Sequence, residues 1–280
     1  MSSILTNTSA MNALATLKDV NRGLNQTQDR VSTGLKVASG KDNAAYFAVS
    51  ETMKGDSGMF KAINEGMTAT KNSVATARLG AETVSDIAQQ IVERVAFAQT
   101  DGVDRADVQL EINALVENMA SAIGQATFNG NNLVDSSASV TVVNGVTRNA
   151  GGVANTFGAT TFTFNEVDLA TIQTTFAGID VVTDQSSATL QTQLTTAETQ
   201  LGLSIDAATS LGITENTLDS QMQFIDSLAD TLDSGVSSMV DADMEEEAAR
   251  LQAYQVQQQL ATQSLSIANQ APQNILSLFR

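Results

Sequence analysis

From Ile63 to Ala98 small and apolar residues recur by alternating fours and threes: Ile63, Met67, Thr70, Val74, Ala77, Ala81, Val84, Ala88, Ile91, Val95 and Ala98. A 3.5-residue repeat held this long describes one face of a long helix, since a strand would repeat every two residues. Val108, Ile112, Leu115, Met119 and Ala122 resume the rhythm after "TDGVDR", where Asp101-Gly102 signals a turn. A distant third segment keeps the same spacing: Leu201, Ser204, Ala208, Leu211, Glu215, Leu218, Met222, Ile225, Ala229, Leu232, Val236 and Met239. Small residues fill much of each seam, so helix axes can approach closely. Three long helices packed as one coiled-coil bundle are expected.

Composition agrees with that reading. Aromatics make up only 4% of the 280 residues, and the apolar content is Ala, Val, Leu, Ile and Met. Such a chain suits elongated helices better than one deep globular core. There is no Cys and no His, which excludes disulfides, thiolate chemistry, zinc–histidine sites and histidine acid–base catalysis. The net charge of −17 is uneven. Residues 1–60 hold six basic and five acidic side chains, whereas residues 107–280 hold three basic and twenty acidic ones. No basic stripe exists to displace phosphate counterions, so no nucleic-acid partner is expected. No apolar run is long enough to span a bilayer, and "MSSILTNTSAMNALATLK" lacks a basic region followed by an apolar core. Neither membrane insertion nor a cleavable signal is expected.

The chain ends carry weaker stripes. Ile4, Met11, Leu14, Leu17, Leu24 and Val31 mark one, with Leu5 added to the packing set. Met244, Ala248, Leu251, Tyr254, Ala261, Leu265 and Ala268 mark the other, and Val256, Leu260 and Ile267 give that end a second apolar strip. A helix with two strips needs more than one partner. Alone, segments so interrupted by Asn, Gln, Thr and Gly are marginal helices, and they are expected to order on assembly. The acids of "DADMEEEAAR" (241–250) are read as helix N-terminal charges with Asp241 or Asp243 as cap, rather than as a metal cluster.

Residues 133–185 break the helical pattern. "SVTVVNGVTRN" alternates and then offers Asn144-Gly145 as a type I′ hairpin turn, "ATTFTFNEV" alternates Phe162 with Phe164, and "GIDVVT" reads as another short strand. A β-rich surface insert is expected here, and trimming residues near 140–180 to a short Gly/Ser loop is expected to be far less harmful than removing both chain ends. Residues 30–55 break the pattern too. They mix charges of both signs with Gly34, Gly40 and Gly55. Lys41, Asp42 and Glu51 have no nucleophile or phosphate loop beside them, so they read as packing and solvated charges rather than a catalytic site. No catalytic, cofactor-binding or metal-ligating residue is expected anywhere.

"NTSAMNALATL" (7–17), "RVSTGLKVASGKDNAAYFAVS" (30–50), "ATFNGNNLV" (126–134) and "QVQQQLATQSLSIANQAPQNILSLFR" (255–280) together resemble bacterial flagellin. The resemblance covers residues 1–135 and 195–280, and the short centre is similar to the compact flagellins of alphaproteobacteria. It implies a mainly α fold, a long antiparallel coiled-coil helical bundle with a small β-hairpin-rich central insert. The implied parts are an inner-tube helix at 1–35, a connector at 36–58, a helical domain at 59–132 continued at 191–239, the insert at 133–190, and a second inner-tube helix at 240–280. Leu5, Met11, Leu14, Leu17, Leu24, Val31, Leu251, Tyr254, Val256, Leu260, Leu265 and Ile267 would pack the inner tube. Arg30, Gly34, Lys36, Gly40, Lys41, Asp42 and Glu51 would form the connector, a joint whose charges, with those of Lys54, pair with neighbouring subunits.

The resemblance also implies a function: a non-enzymatic subunit of the hollow flagellar filament, secreted unfolded through the flagellar type III pathway. Its implied partners are copies of itself, an export chaperone, cap and junction proteins and, weakly, a host innate immune receptor. The weakness is attached to Ile91, near a position where strongly stimulating flagellins carry Arg. Gln255, Gln257, Gln258, Gln259, Gln263 and Gln270 are expected to face the central channel. A hook–filament junction protein and a secreted coiled-coil adhesin or effector stand as alternatives.

Overall fold

The computed structural model describes residues 7–148, 157–184 and 186–278. Among them are six helices and two antiparallel hairpins. In chain order they are α1 Thr8–Thr33, α2 Ala44–Phe97, α3 Arg105–Gln125, β1 Thr127–Phe128, β2 Asn131–Asn132, β3 Ser139–Arg148, β4 Phe157–Asn165, α4 Leu169–Ala177, α5 Ser187–Val240 and α6 Met244–Leu278. The chain divides into two compact units: Gly58–Ala229, and a second built from both ends, Met1–Ser57 with Asp230–Arg280.

The Gly58–Ala229 unit is organised by the heptad seams. Met67, Val74, Ala77, Ala81, Val84, Ala88, Ile91 and Val95 of α2, with Ala98 just past its end, have no exposed surface, and Ile112, Met119, Ser204, Leu211, Leu218 and Ile225 are buried with them or nearly so. Alanine at so many seam positions sets a close approach. At Gly80 even a Cβ would come within 2.5 Å of the Ala126 Cβ. Ion pairs along the seam edge, Lys71 with Asp219 and Arg78 with Glu215, run α2 against α5 antiparallel. Glu215 therefore departs from the expected seam, lying at its edge where Arg78 Nε donates to it at 2.8 Å. The turn between α2 and α3 follows its residues: Gly102 takes φ 86°, the Asp104 side chain caps α3 by accepting from Ala106 N, and Arg105 Nε donates to Ala98 O.

The centre departs from the sequence reading in three ways. First, Asn144-Gly145 is not a turn. It sits inside β3 as a bulge, the register shifting between Val143 and Gly145, and the turn of this hairpin lies outside the described residues. The Asn144 amide is used by donating to Gln221 at 2.7 Å, and a Cβ at Gly145 would meet Thr160 Oγ1 at 2.6 Å. A bulge glycine and a turn glycine look alike in sequence.

Second, "GIDVVT" is no strand. Gln109 of α3 captures its backbone, donating to Ile179 O and accepting from Val181 N, both at 3.0 Å. Asp180 Oδ1 then accepts from Val182 N and Thr183 N, which turns the chain.

Third, the region is not a loose surface insert. α4, unforeseen because its β-branched residues mask its helical tendency, is capped by Asp168 and buries Leu169, Ile172 and Phe176. Val142, Phe164, Ile179 and Val181 enter the same core as α2, α3 and α5. That burial argues against the expectation that trimming residues near 140–180 would be far less harmful than removing the chain ends.

Candidate functional site

Both ends of the chain meet in the second unit. α1 starts where the Asn7 side chain accepts from Ala10 N at 3.0 Å. It ends at Gly34, whose φ of 73° lets its N–H reach back to Arg30 O at 2.8 Å. The next residues are stitched to the α5–α6 junction by main-chain bonds. Lys36 N and Val37 N donate to Val240 O at 2.7 and 3.2 Å, and Ala242 N donates to Gly34 O at 2.9 Å. Val37, Val236 and Val240 form a small core below this ladder, with Leu35, Phe47, Met53 and Met239 packed on it. α6 then opens at Asp243, whose Oδ1 accepts from Glu245 N and Glu246 N. Of the two caps considered, Asp243 is the one used. Glu245, Glu246 and Glu247 occupy the first turn, where the macrodipole favours them.

α1 and α6 lie antiparallel. Asn7 Nδ2 donates to Ala268 O at 2.8 Å, Gln258 Nε2 to Asn21 Oδ1 at 2.7 Å, and Arg30 pairs with Glu247 at 3.2 Å. At Gly23 the helices are closest, since a Cβ there would stand 2.7 Å from the Tyr254 ring. Val20, Thr27 and Ala261 are buried between the helices. None of these three was in the expected packing set. With Ala13, the first two recur every seventh residue, a signal hidden by their small or polar side chains. Leu17, Leu24, Val31, Leu251, Tyr254 and Leu265 are half-buried. Met11, Leu14, Val256, Leu260 and Ile267 stay exposed, Met11 by 63% and Ile267 by 65%. Leu5 lies outside the described residues. Ala13, Thr16, Val20, Gln257, Leu260 and Ala261 line an apolar groove of about 300 Å³ along the pair. Gln258 is held by Asn21, while Gln255, Gln257, Gln259, Gln263 and Gln270 are exposed.

The stretch read as a connector is shorter than 36–58. Its non-helical part runs from Gly34 to Asn43, where the Asn43 side chain accepts from Ala45 N and Tyr46 N and starts α2. Glu51 is therefore a helical residue, paired with Lys54 one turn on at 3.1 Å. Gly40 is exposed, with only the Phe47 ring near its missing Cβ. Several charges expected to reach neighbouring subunits are engaged within the chain. Arg30 and Arg250 both donate to Oε1 of Glu247, whose side chain is only 5% exposed. Asp42 Oδ2 accepts from Ala38 N, Ser39 N and Ser39 Oγ, closing a local turn. Lys36 and Lys41 remain exposed and make no such pair. Ile91, to which the weak receptor contact was attached, has no exposed surface.

Comparison with known proteins accounts for both ends. Residues 4–139 match the family model of the bacterial flagellin N-terminal helical region, and residues 188–279 match that of the bacterial flagellin C-terminal helical region. The chain is 38% identical over 286 residues to a flagellin of Brucella melitensis, covering 100% of each. It is 32% identical to Flagellin FljM of Caulobacter vibrioides, covering 100% of this chain and 99% of that one. It is 30% identical over 320 residues to Flagellin C of Rhizobium meliloti, again covering 100% of each.

Proposed function

Since the chain belongs to the bacterial flagellin family, we infer that it works by self-assembly, as a structural subunit of the extracellular flagellar filament that drives swimming. The observation that carries this reading is the pair of terminal helices with apolar side chains left facing outward: Met11, Leu14, Val256, Leu260 and Ile267. Such a face is costly in water and is relieved when like copies cover it. Repeated head-to-tail contacts that do not close give a filament rather than a ring.

The finer division of labour follows from this. α1 and α6 form the inner tube, and residues near 34–43 are the joint. The subunit leaves the cell unfolded through the flagellar type III route, escorted by an export chaperone and received by junction and cap proteins. A host innate immune receptor remains a weak partner, through surface other than Ile91. Removing residues 1–35 and 245–280 tests the division. A helical monomer that no longer polymerises on seeds is expected, and filaments formed by the doubly truncated chain would overturn it.

A further inference from the structure

Most described cations are tied down inside the chain: Arg22 by Asp19, Arg30 by Glu247, Lys54 by Glu51, Lys71 by Asp219, Arg78 by Glu82 and Glu215, Arg94 by Glu111, and Arg250 by Glu246. Lys36 and Lys41 are not. Both are exposed on the joint, and Lys36 borders a cavity of about 250 Å³ lined also by Arg30, Asp42, Asn43, Tyr46 and Ser238. Asp42 is held in a local turn by three hydrogen bonds to its Oδ2 from residues 38 and 39 and forms no ion pair with either lysine. Arg30 is spent on Glu247. Lys36 and Lys41 thus leave two unpaired ammonium groups exposed on the joint of a chain of net charge −17.

The complementary surface is α5. Along its 54 residues it has seven carboxylates and no basic side chain. Glu215, Asp219 and Asp226 are engaged by α2, whereas Glu198 and Asp206 are exposed and make no ion pair. Copies of so acidic a chain repel one another when stacked, and that repulsion falls if each contact sets exposed ammonium groups against an acidic helix. We propose that the Lys36–Lys41 pair docks on the Glu198–Asp206 stretch of α5 in a second copy of this chain. The proposal rests on the filament reading and adds the pair of surfaces that meet.

Seeded polymerisation of the full chain tests it, comparing wild type, K36E/K41E, E198K/D206K and the fourfold charge swap. At about 50 mM salt each double reversal should raise the critical concentration about tenfold or more, and the penalty should shrink near 0.5 M, where screening is stronger. The swap should restore assembly. Circular dichroism of each monomer checks the fold, and the milder K36Q/K41Q should show a smaller rise. K36E/K41E polymerising like wild type, or a swap no better than the single reversals, overturns the docking while leaving the filament reading intact. A wild-type chain that does not polymerise overturns the filament reading itself.

Discussion

Phe176 sits in a nine-residue helix of a region whose sequence looks like surface decoration, yet it has no exposed area. Phe176→Ala therefore removes a core side chain, not an ornament. Deleting a fully buried Phe costs about 3–5 kcal/mol, the lost transfer energy plus the cavity left behind. In a unit of this size each kcal/mol lowers the melting temperature by about 2–4 °C, so a drop of about 6–20 °C is expected. Replacing residues 140–180 by a Gly/Ser loop goes further, since it takes Val142, Phe164, Leu169 and Ile172 as well. At about 1.5–3 kcal/mol per buried side chain the loss approaches the whole stability of a domain, about 5–15 kcal/mol. Circular dichroism melts of both variants, with Val143→Ala on the exposed side of β3 as control, provide the measurement. If the trimmed chain melts within a few degrees of wild type, the burial described for α4 does not stabilise the fold, and the reasoning fails.

Three further outcomes follow from the geometry. Leu265→Asp, at a half-buried position on α6, should abolish seeded assembly while leaving monomer circular dichroism nearly unchanged, because an unpaired carboxylate is buried only once neighbours cover it. Gly34→Val forces a β-branched residue to φ 73°, a strain of about 1–2 kcal/mol; hydrogen exchange at the end of α1 should quicken, and the critical concentration should rise. Asp168 caps α4, and hydrogen bonds from the Thr171 hydroxyl and N–H hold its carboxyl below the ordinary range. A depressed native value stabilises above the unfolded one and is lost as pH falls through the native one. Asp168→Ala should thus cost at most about 1 kcal/mol near neutral pH, a gap that closes below about pH 4 in urea titrations.

The helical frame was legible because its signal is periodic and repeated. Every hydrophobic residue from Met67 to Ala98 that has no exposed surface lay on the expected seam, while the seam positions Ile63 and Thr70 are only half-buried. The centre was not legible, for reasons that lie in tertiary contacts. Asn144-Gly145 gives one local signal whether it turns or bulges, and only Thr160 and Gln221 decide between them. Likewise "GIDVVT" has the residues of a strand, but its backbone is claimed by one glutamine from another element. At the ends the apolar stripes were readable, Ala261 among them, whereas the buried positions Val20 and Thr27 were not, since Ala13, Val20 and Thr27 repeat with small or polar side chains. Within the connector read at 36–58 the non-helical part ends at Asn43, and Gly55, which looked like a break, is tolerated at some cost within α2.

The pairing of α1 with α6 also imposes an order in time. Asn7 and Ala268 are bonded across 261 positions, and Arg30 and Glu247 across 217. Closing such a span from a free coil carries a large entropy cost, about 5 kcal/mol by the logarithmic estimate. The Gly58–Ala229 unit is contiguous and can close first, bringing Asn64 to Asp226 and shortening the effective loop to the few tens of residues beyond them. The end-built unit has no such early start, because α6 lies at the far end of the chain from α1 and is synthesised last. A subunit halted before its final segment would hold a finished middle and an unmated α1. The terminal pair can therefore form only once both of its helices are present.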